Sequence, residues 1–85
     1  MGRLTKVTLD TIKPLKGPTI VDVSKALAEV GGVRRVSIKV NEVDMQTITM
    51  TIVVEGDDID FDELKEKMET LGVVIHSIDE AVGEP

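Results

Sequence analysis

Ile48-Thr49-Met50-Thr51-Ile52-Val53-Val54-Glu55-Gly56-Asp57-Asp58-Ile59-Asp60-Phe61-Asp62-Glu63 decides the fold of this chain. Ile48, Met50, Ile52 and Val54 alternate with Thr49, Thr51 and Val53, the period of a strand with one buried face. An acidic turn around Gly56 follows, and then the period changes. Phe61, Leu64, Met68 and Leu71 recur at steps of three and four and form one apolar helix stripe. Asp60 with Glu63 three residues on predicts a capping box. Ile59 is placed to staple onto Leu64, and Gly72 stops the helix.

Upstream, Val36, Ile38 and Val40 alternate with Arg35, Ser37, Lys39 and Asn41. Across the polar connection Asp44 to Gln46 this run forms a hairpin with the strand just described. Before it, Ile20, Val23, Leu27 and Val30 predict a first helix, with Pro18 suited to its first turn and Gly31-Gly32 ending it. The first strand holds Leu4, Val7 and Leu9. It is predicted to end at Asp10, with Lys13-Pro14 and Gly17-Pro18 in a loop. A last strand runs from Val73 to about Ile78, and Gly83 to Pro85 read as a tail. Ile75 and Ile78 have opposite parity, so this strand carries a bulge or is buried on both faces.

The order βαββαβ with right-handed crossovers gives two interlocked split βαβ units, with both helices on one side. The expected fold is α+β, a ferredoxin-like sandwich whose four-stranded antiparallel sheet has the spatial order 4-1-3-2. A short echo, Gly32-Val33 with Val36-Ser37-Ile38 against Gly72-Val73 with His76-Ser77-Ile78, agrees with a duplicated layout. All 85 residues read as a single domain.

Composition narrows the function. With 16 acidic and 10 basic side chains the net charge is -6, which repels phosphate backbones, and the single aromatic, Phe61, offers no stacking platform. Nucleic acid is therefore disfavoured as a partner. No cysteine is present, so disulfides, thiolate metal sites and cysteine nucleophiles are excluded. No apolar run reaches the ~18 residues of a membrane span, and the expected location is the cytoplasm, with no membrane partner. A chain this short buries a modest core, which favours self-association. Both predicted edge strands are hydrophobic and free of proline, so pairing edge to edge into a homo-oligomer is expected.

The predicted topology gathers Glu55, Asp57, Asp58, Asp79 and Glu80 at one end of the sheet beside the second helix, with Asp10, Glu42 and Asp44 at the other. Asp57, Asp58, Asp60, Asp79 and Glu80 form a candidate site for a hard cation, Ca²⁺ or Mg²⁺, since oxygen ligands suit such ions. The spacing is not that of an EF-hand loop. The plainer reading is structural: Asp60 caps the helix, Asp62 and Glu63 complement its dipole, Asp57 and Asp58 make the turn, and Arg34 and Arg35 neutralise the group.

His76 is the only histidine. With Ser77 and Asp79 it has the residue types of a hydrolytic triad, but strand neighbours point to opposite faces, and no catalytic set is assigned. On the open sheet face it would meet Lys6, Thr8 or Thr49. That face, with Thr8, Ser37, Lys39, Asn41, Thr47, Thr49 and Thr51, is polar and mildly basic.

Leu9-Asp10 with Lys13-Pro14, Gly32-Val33 with Val36-Ser37-Ile38, Glu42 with Asp44, Gly56 with Asp58-Ile59-Asp60-Phe61-Asp62-Glu63, and Ile75-His76-Ser77-Ile78-Asp79-Glu80-Ala81-Val82-Gly83 carry a resemblance. Together they resemble the small archaeal domain-of-unknown-function family numbered two hundred and eleven. The resemblance spans nearly the whole chain and implies a ferredoxin-like fold, ring-like homo-oligomers and no set activity. Where that family tends to read His-Glu-Pro after Lys-Pro, this chain has Leu15-Lys16-Gly17-Pro18. The sequence thus points to a non-enzymatic homo-oligomeric module binding a divalent cation or small effector at the acidic end. The alternatives are a scaffold whose ring is its function, and an enzyme whose site at a subunit interface centres on His76, with Asp10, Glu42 or Asp44 supplied by the neighbouring chain.

Overall fold

The computed structural model describes residues 1–85. Its elements are β1 (Arg3–Pro14), α1 (Ile20–Leu27), β2 (Val33–Val43), β3 (Thr47–Gly56), α2 (Phe61–Thr70) and β4 (Val74–Glu84). The sheet order is β2-β3-β1-β4, and every adjacent pair is antiparallel. This is the ferredoxin-like α+β sandwich. No helix is long and apolar enough to cross a membrane.

The core lies between one face of the sheet and the helix pair. Val7 and Leu9 of β1 and Met50, Ile52 and Val54 of β3 meet Val23 and Leu27 of α1 and Leu64 and Met68 of α2. Each strand supplies alternate residues and each helix one stripe, as the two periods require. Ile59 and Leu64, both buried, hold the staple positions at the start of α2.

Two strands are longer than the sequence predicted. β1 does not stop at Asp10 but continues through Thr11 and Lys13 to Pro14, which pairs with Thr47. Thr11 and Lys13 extend the inward row of Val7 and Leu9, and the Thr11 hydroxyl is satisfied by the Met50 carbonyl at 3.1 Å. Proline is tolerated here because the pairing with β4 ends at Ile12, so its missing N–H faces no ladder partner. Likewise β4 runs on to Glu84, with Gly83 paired to Leu4, so the expected tail is strand.

The helix starts also differ. Thr19, not Pro18, opens α1. Its hydroxyl accepts from the Asp22 N–H at 3.2 Å, while Asp22 accepts from the Thr19 N–H at 3.1 Å, a full capping box with aspartate in the acidic position. At α2 only half of the predicted box forms. Asp60 accepts from the Glu63 N–H at 3.0 Å, but the Glu63 carboxylate reaches across to the Gly31 N–H, also at 3.0 Å, and ties the two helix ends together.

The parity conflict in β4 resolves as a bulge. Asp10 pairs with Ser77 and Thr11 with Ile75, which leaves His76 as the extra residue. A second shift, between Thr8 paired to Glu80 and Leu9 paired to Ile78, leaves out Asp79.

Candidate functional site

The bulge at His76 decides what faces the open side of the sheet. Cross-strand partners share a face, so Ser77 lies on the same face as Asp10. His76 also turns that way, and its Nδ1 lies 3.3 Å from Asp10 Oδ2. His76 and Ser77 therefore do share a face, contrary to simple alternation, but they hold different partners. The Ser77 hydroxyl donates to Asp79 Oδ1 at 2.7 Å. No Ser-His-Asp relay is assembled. Of the three residues expected near His76, only Thr49 joins it, in a recess of about 260 Å³ with Asp10, Thr11 and Ile12. Asp10 does not join Glu42 and Asp44 at the sheet end. It sits within β1 opposite Thr51, because the strand runs on past it.

The candidate cation residues are spread over separate partners. Asp57 pairs with Arg3 at 3.4 Å, and Glu80 pairs with Lys6 at 3.2 Å and accepts from the Thr8 hydroxyl at 2.9 Å. The hydroxyl of Thr8 first, then the hydrogen bond and charge of Lys6, hold the Glu80 carboxyl below its ordinary range. Asp60 is the cap of α2, Asp79 takes Ser77, and Asp58 sits in the turn with φ of +56°, a conformation that aspartate tolerates. No three histidine or acidic side chains of one protomer come together in a way that could hold a metal ion.

The cations that neutralise this end were not the ones expected. Arg34 and Arg35 enter no ion pair, whereas Arg3 and Lys6 do. The signal was out of reach in one dimension, since Thr8 and Glu80 are 72 positions apart and meet only through the β1–β4 register. Arg34 and Arg35 stand exposed at the start of β2, an edge of the sheet.

A further cationic residue escaped notice. Lys13, expected in a loop, is 2 % exposed, and its Nζ donates to the Pro14 carbonyl oxygen at 2.6 Å. The legible signal was its place two residues after Thr11 in the inward row.

Comparison with known proteins shows the family to which this sequence belongs. Residues 5–84 match the domain-of-unknown-function family DUF211, described as uncharacterized ArCR. The chain belongs to this family. An uncharacterized protein of the archaeon Methanocaldococcus jannaschii is 39 % identical over 82 residues, covering 96 % of this chain and 84 % of that protein. The match takes in β2, β3, β4 and both helices with nearly all of β1, so the open sheet edges and the His76 recess lie within the family's shared region.

Proposed function

We propose that this chain is a non-enzymatic cytoplasmic module that joins copies of itself edge to edge into a ring and holds a divalent cation or small effector between them. The observation that carries this reading is the pair of open sheet edges. β2 and β4 are each 11 residues long and carry opposite charge. The β2 edge begins with Arg34 and Arg35, and the far half of β4 holds Asp79, Glu80 and Glu84. The two strands run in opposite directions, so these stretches lie at the same end of the protomer. A second copy added in the same orientation sets its β4 antiparallel beside β2, acids against arginines.

Apolar surface matches in the same arrangement. On the helix side Ile78 of β4 is 55 % exposed, while Ile20, Val21, Val36 and Ile38 line a groove of about 180 Å³ along the β2 edge. With Arg35 opposite Glu80 of the next copy and Asp79 left out as the bulge residue here as it is against β1, Val36 falls beside Ile78 and Ser37 beside Ser77. That register keeps apolar residues on the helix side and polar residues on the open face of both strands. Each such contact leaves a further edge free, which closes only in a ring, and it covers edges that would otherwise template aggregation.

The cation or effector then lies between copies, because one copy alone brings no three suitable ligands together. Asp57, Asp58, Asp60, Asp79 and Glu80 remain the residues to test. Native mass spectrometry with and without chelator reads subunit number and bound ion together. A discrete oligomer that loses divalent metal to chelator supports both parts. A metal-free ring removes the cation and leaves the effector or scaffold role, and a monomer at all concentrations overturns the assembly.

A second reading rests on the Asp10–His76 pair. A carboxylate-oriented imidazole beside Thr49 has the elements of a general base, which would make the chain an enzyme. Retention of every screened activity by His76→Ala ends that reading.

A further inference from the structure

Lys13 is the one charged side chain fully inside the protein, and nothing in its surroundings accounts for the charge. It occupies the last inward position of β1, where methionine or leucine would fill the same space. None of the ion pairs in the protomer involves it, and its Nζ has a single acceptor, the carbonyl of Pro14. An amine withdrawn from water with one backbone acceptor for its N–H groups is costly, and such a group is unusual without a compensating anion.

The same Pro14 forms a wall of a recess. With Leu15, Lys16, Met45 and Gln46 it encloses about 310 Å³ at the turn between β2 and β3, the lower end of the size range of small-molecule sites. The turn is pinned there by the Leu15 N–H donating to the Gln46 carbonyl at 2.8 Å. Met45 and Leu15 are 89 % and 44 % exposed, two large apolar side chains held in water at the rim. No acidic side chain lines the recess. The nearby Asp44 carboxylate is turned onto the Met45 N–H. An apolar surface and one lysine thus meet at this recess, and a second lysine is bonded to the carbonyl of one of its lining residues.

We propose that this recess binds a small amphiphilic carboxylate. Its apolar body lies on Pro14, Leu15 and Met45. Its carboxylate takes Lys16 at the rim and draws the Lys13 amine away from the Pro14 carbonyl, replacing a neutral acceptor by a charged one. The binding site belongs to a single copy and stands whether or not the sheet edges pair.

The test is a titration of the ¹⁵N-labelled protein with octanoate and, separately, octanol, followed by amide shifts. Octanoate is expected to move the Leu15, Lys16, Met45 and Gln46 signals saturably and to bind about tenfold more tightly than octanol. Lys13→Met is expected to reduce that preference severalfold while leaving the weak octanol response unchanged, and Lys16→Met, at an exposed position that leaves the fold intact, to reduce it as well. Equal binding of octanoate and octanol by the unmodified protein, no saturable shift at all, or an undiminished preference in Lys13→Met each overturns the proposal.

Discussion

Gly56 packs its Cα against the carbonyl oxygen of Gly32, so closely that a methyl group on Gly56 would overlap that oxygen. The same oxygen accepts the Asp57 N–H at 2.8 Å, and Gly32 itself has φ of +83° with its missing Cβ directed at the Asp57 and Asp58 carbonyls. The start of β2 is thereby locked to the turn that leads from β3 into α2, and this lock sets where Arg34 and Arg35 stand on the sheet edge.

Gly56→Ala should therefore destabilise the fold by about 2 to 3 kcal/mol, since the obstructing atoms are backbone and cannot turn aside. Urea denaturation measures it. A loss below about 0.5 kcal/mol, the level of an ordinary surface change, would show that the two segments part freely.

Asp60 serves as a helix cap within one copy, so its hydrogen bond to the Glu63 N–H predicts a graded response. Asp60→Ala should cost about 1 kcal/mol, whereas Asp60→Asn, which keeps the acceptor, should cost only a few tenths. The two denaturation midpoints in chelator give the comparison. Equal losses would mean that the charge of Asp60, not its acceptor oxygen, holds this end of the protein.

Much of this architecture was legible in one dimension. The runs Val36 to Val40 and Ile48 to Val54 and the stripe Phe61 to Leu71 have unbroken periods, because each buries one face only. Even the parity conflict between Ile75 and Ile78 pointed to a bulge or to burial on both faces, and the bulge is what forms. The strand ends were not legible. Thr11 and Lys13 are polar at inward positions, and what makes Thr11 tolerable there is the Met50 carbonyl, 39 positions away in sequence. Past Ile78, β4 lies at the sheet edge with every residue exposed, so no apolar period marks it. The site suffered the same loss. That Lys6 and Arg3 neutralise Glu80 and Asp57 follows from strand register, which composition does not carry.

The depressed pKa of Glu80 links stability to pH. Its folded value lies below the ordinary value of 4.5, so the proton binds the folded state more weakly than the unfolded one. The stability it contributes is present above that ordinary value and is lost as pH falls through the lowered folded value. Glu80→Gln should flatten the acid side of the stability profile and leave its slope near neutral pH unchanged. The effect is small because the side chain is half exposed and its charge is screened by solvent. Denaturation midpoints across the acid range test it, and an unchanged acid slope would contradict the pairing with Thr8 and Lys6.

Lys13 trades stability for its charge. Lys13→Met keeps the volume and removes an amine that has no carboxylate partner, so the variant should be at least as stable as the parent protein, by up to about 2 kcal/mol. Thermal and urea unfolding measure this. A loss above about 1 kcal/mol would show that the bond to the Pro14 carbonyl outweighs the cost of burial.

The assembly is tested most directly by a cross-link that only neighbouring copies can form. The chain has no cysteine, so Ser37→Cys with Ser77→Cys introduces one pair and no other. Within a copy the two positions lie on opposite edges of the sheet with β3 and β1 between them, roughly 14 Å apart, beyond the reach of a disulfide. Oxidation followed by denaturing electrophoresis should give a ladder of covalent multimers ending at the ring, with neither single variant producing one. Monomer alone in the oxidised double variant would contradict the pairing of β2 with β4 of the next copy.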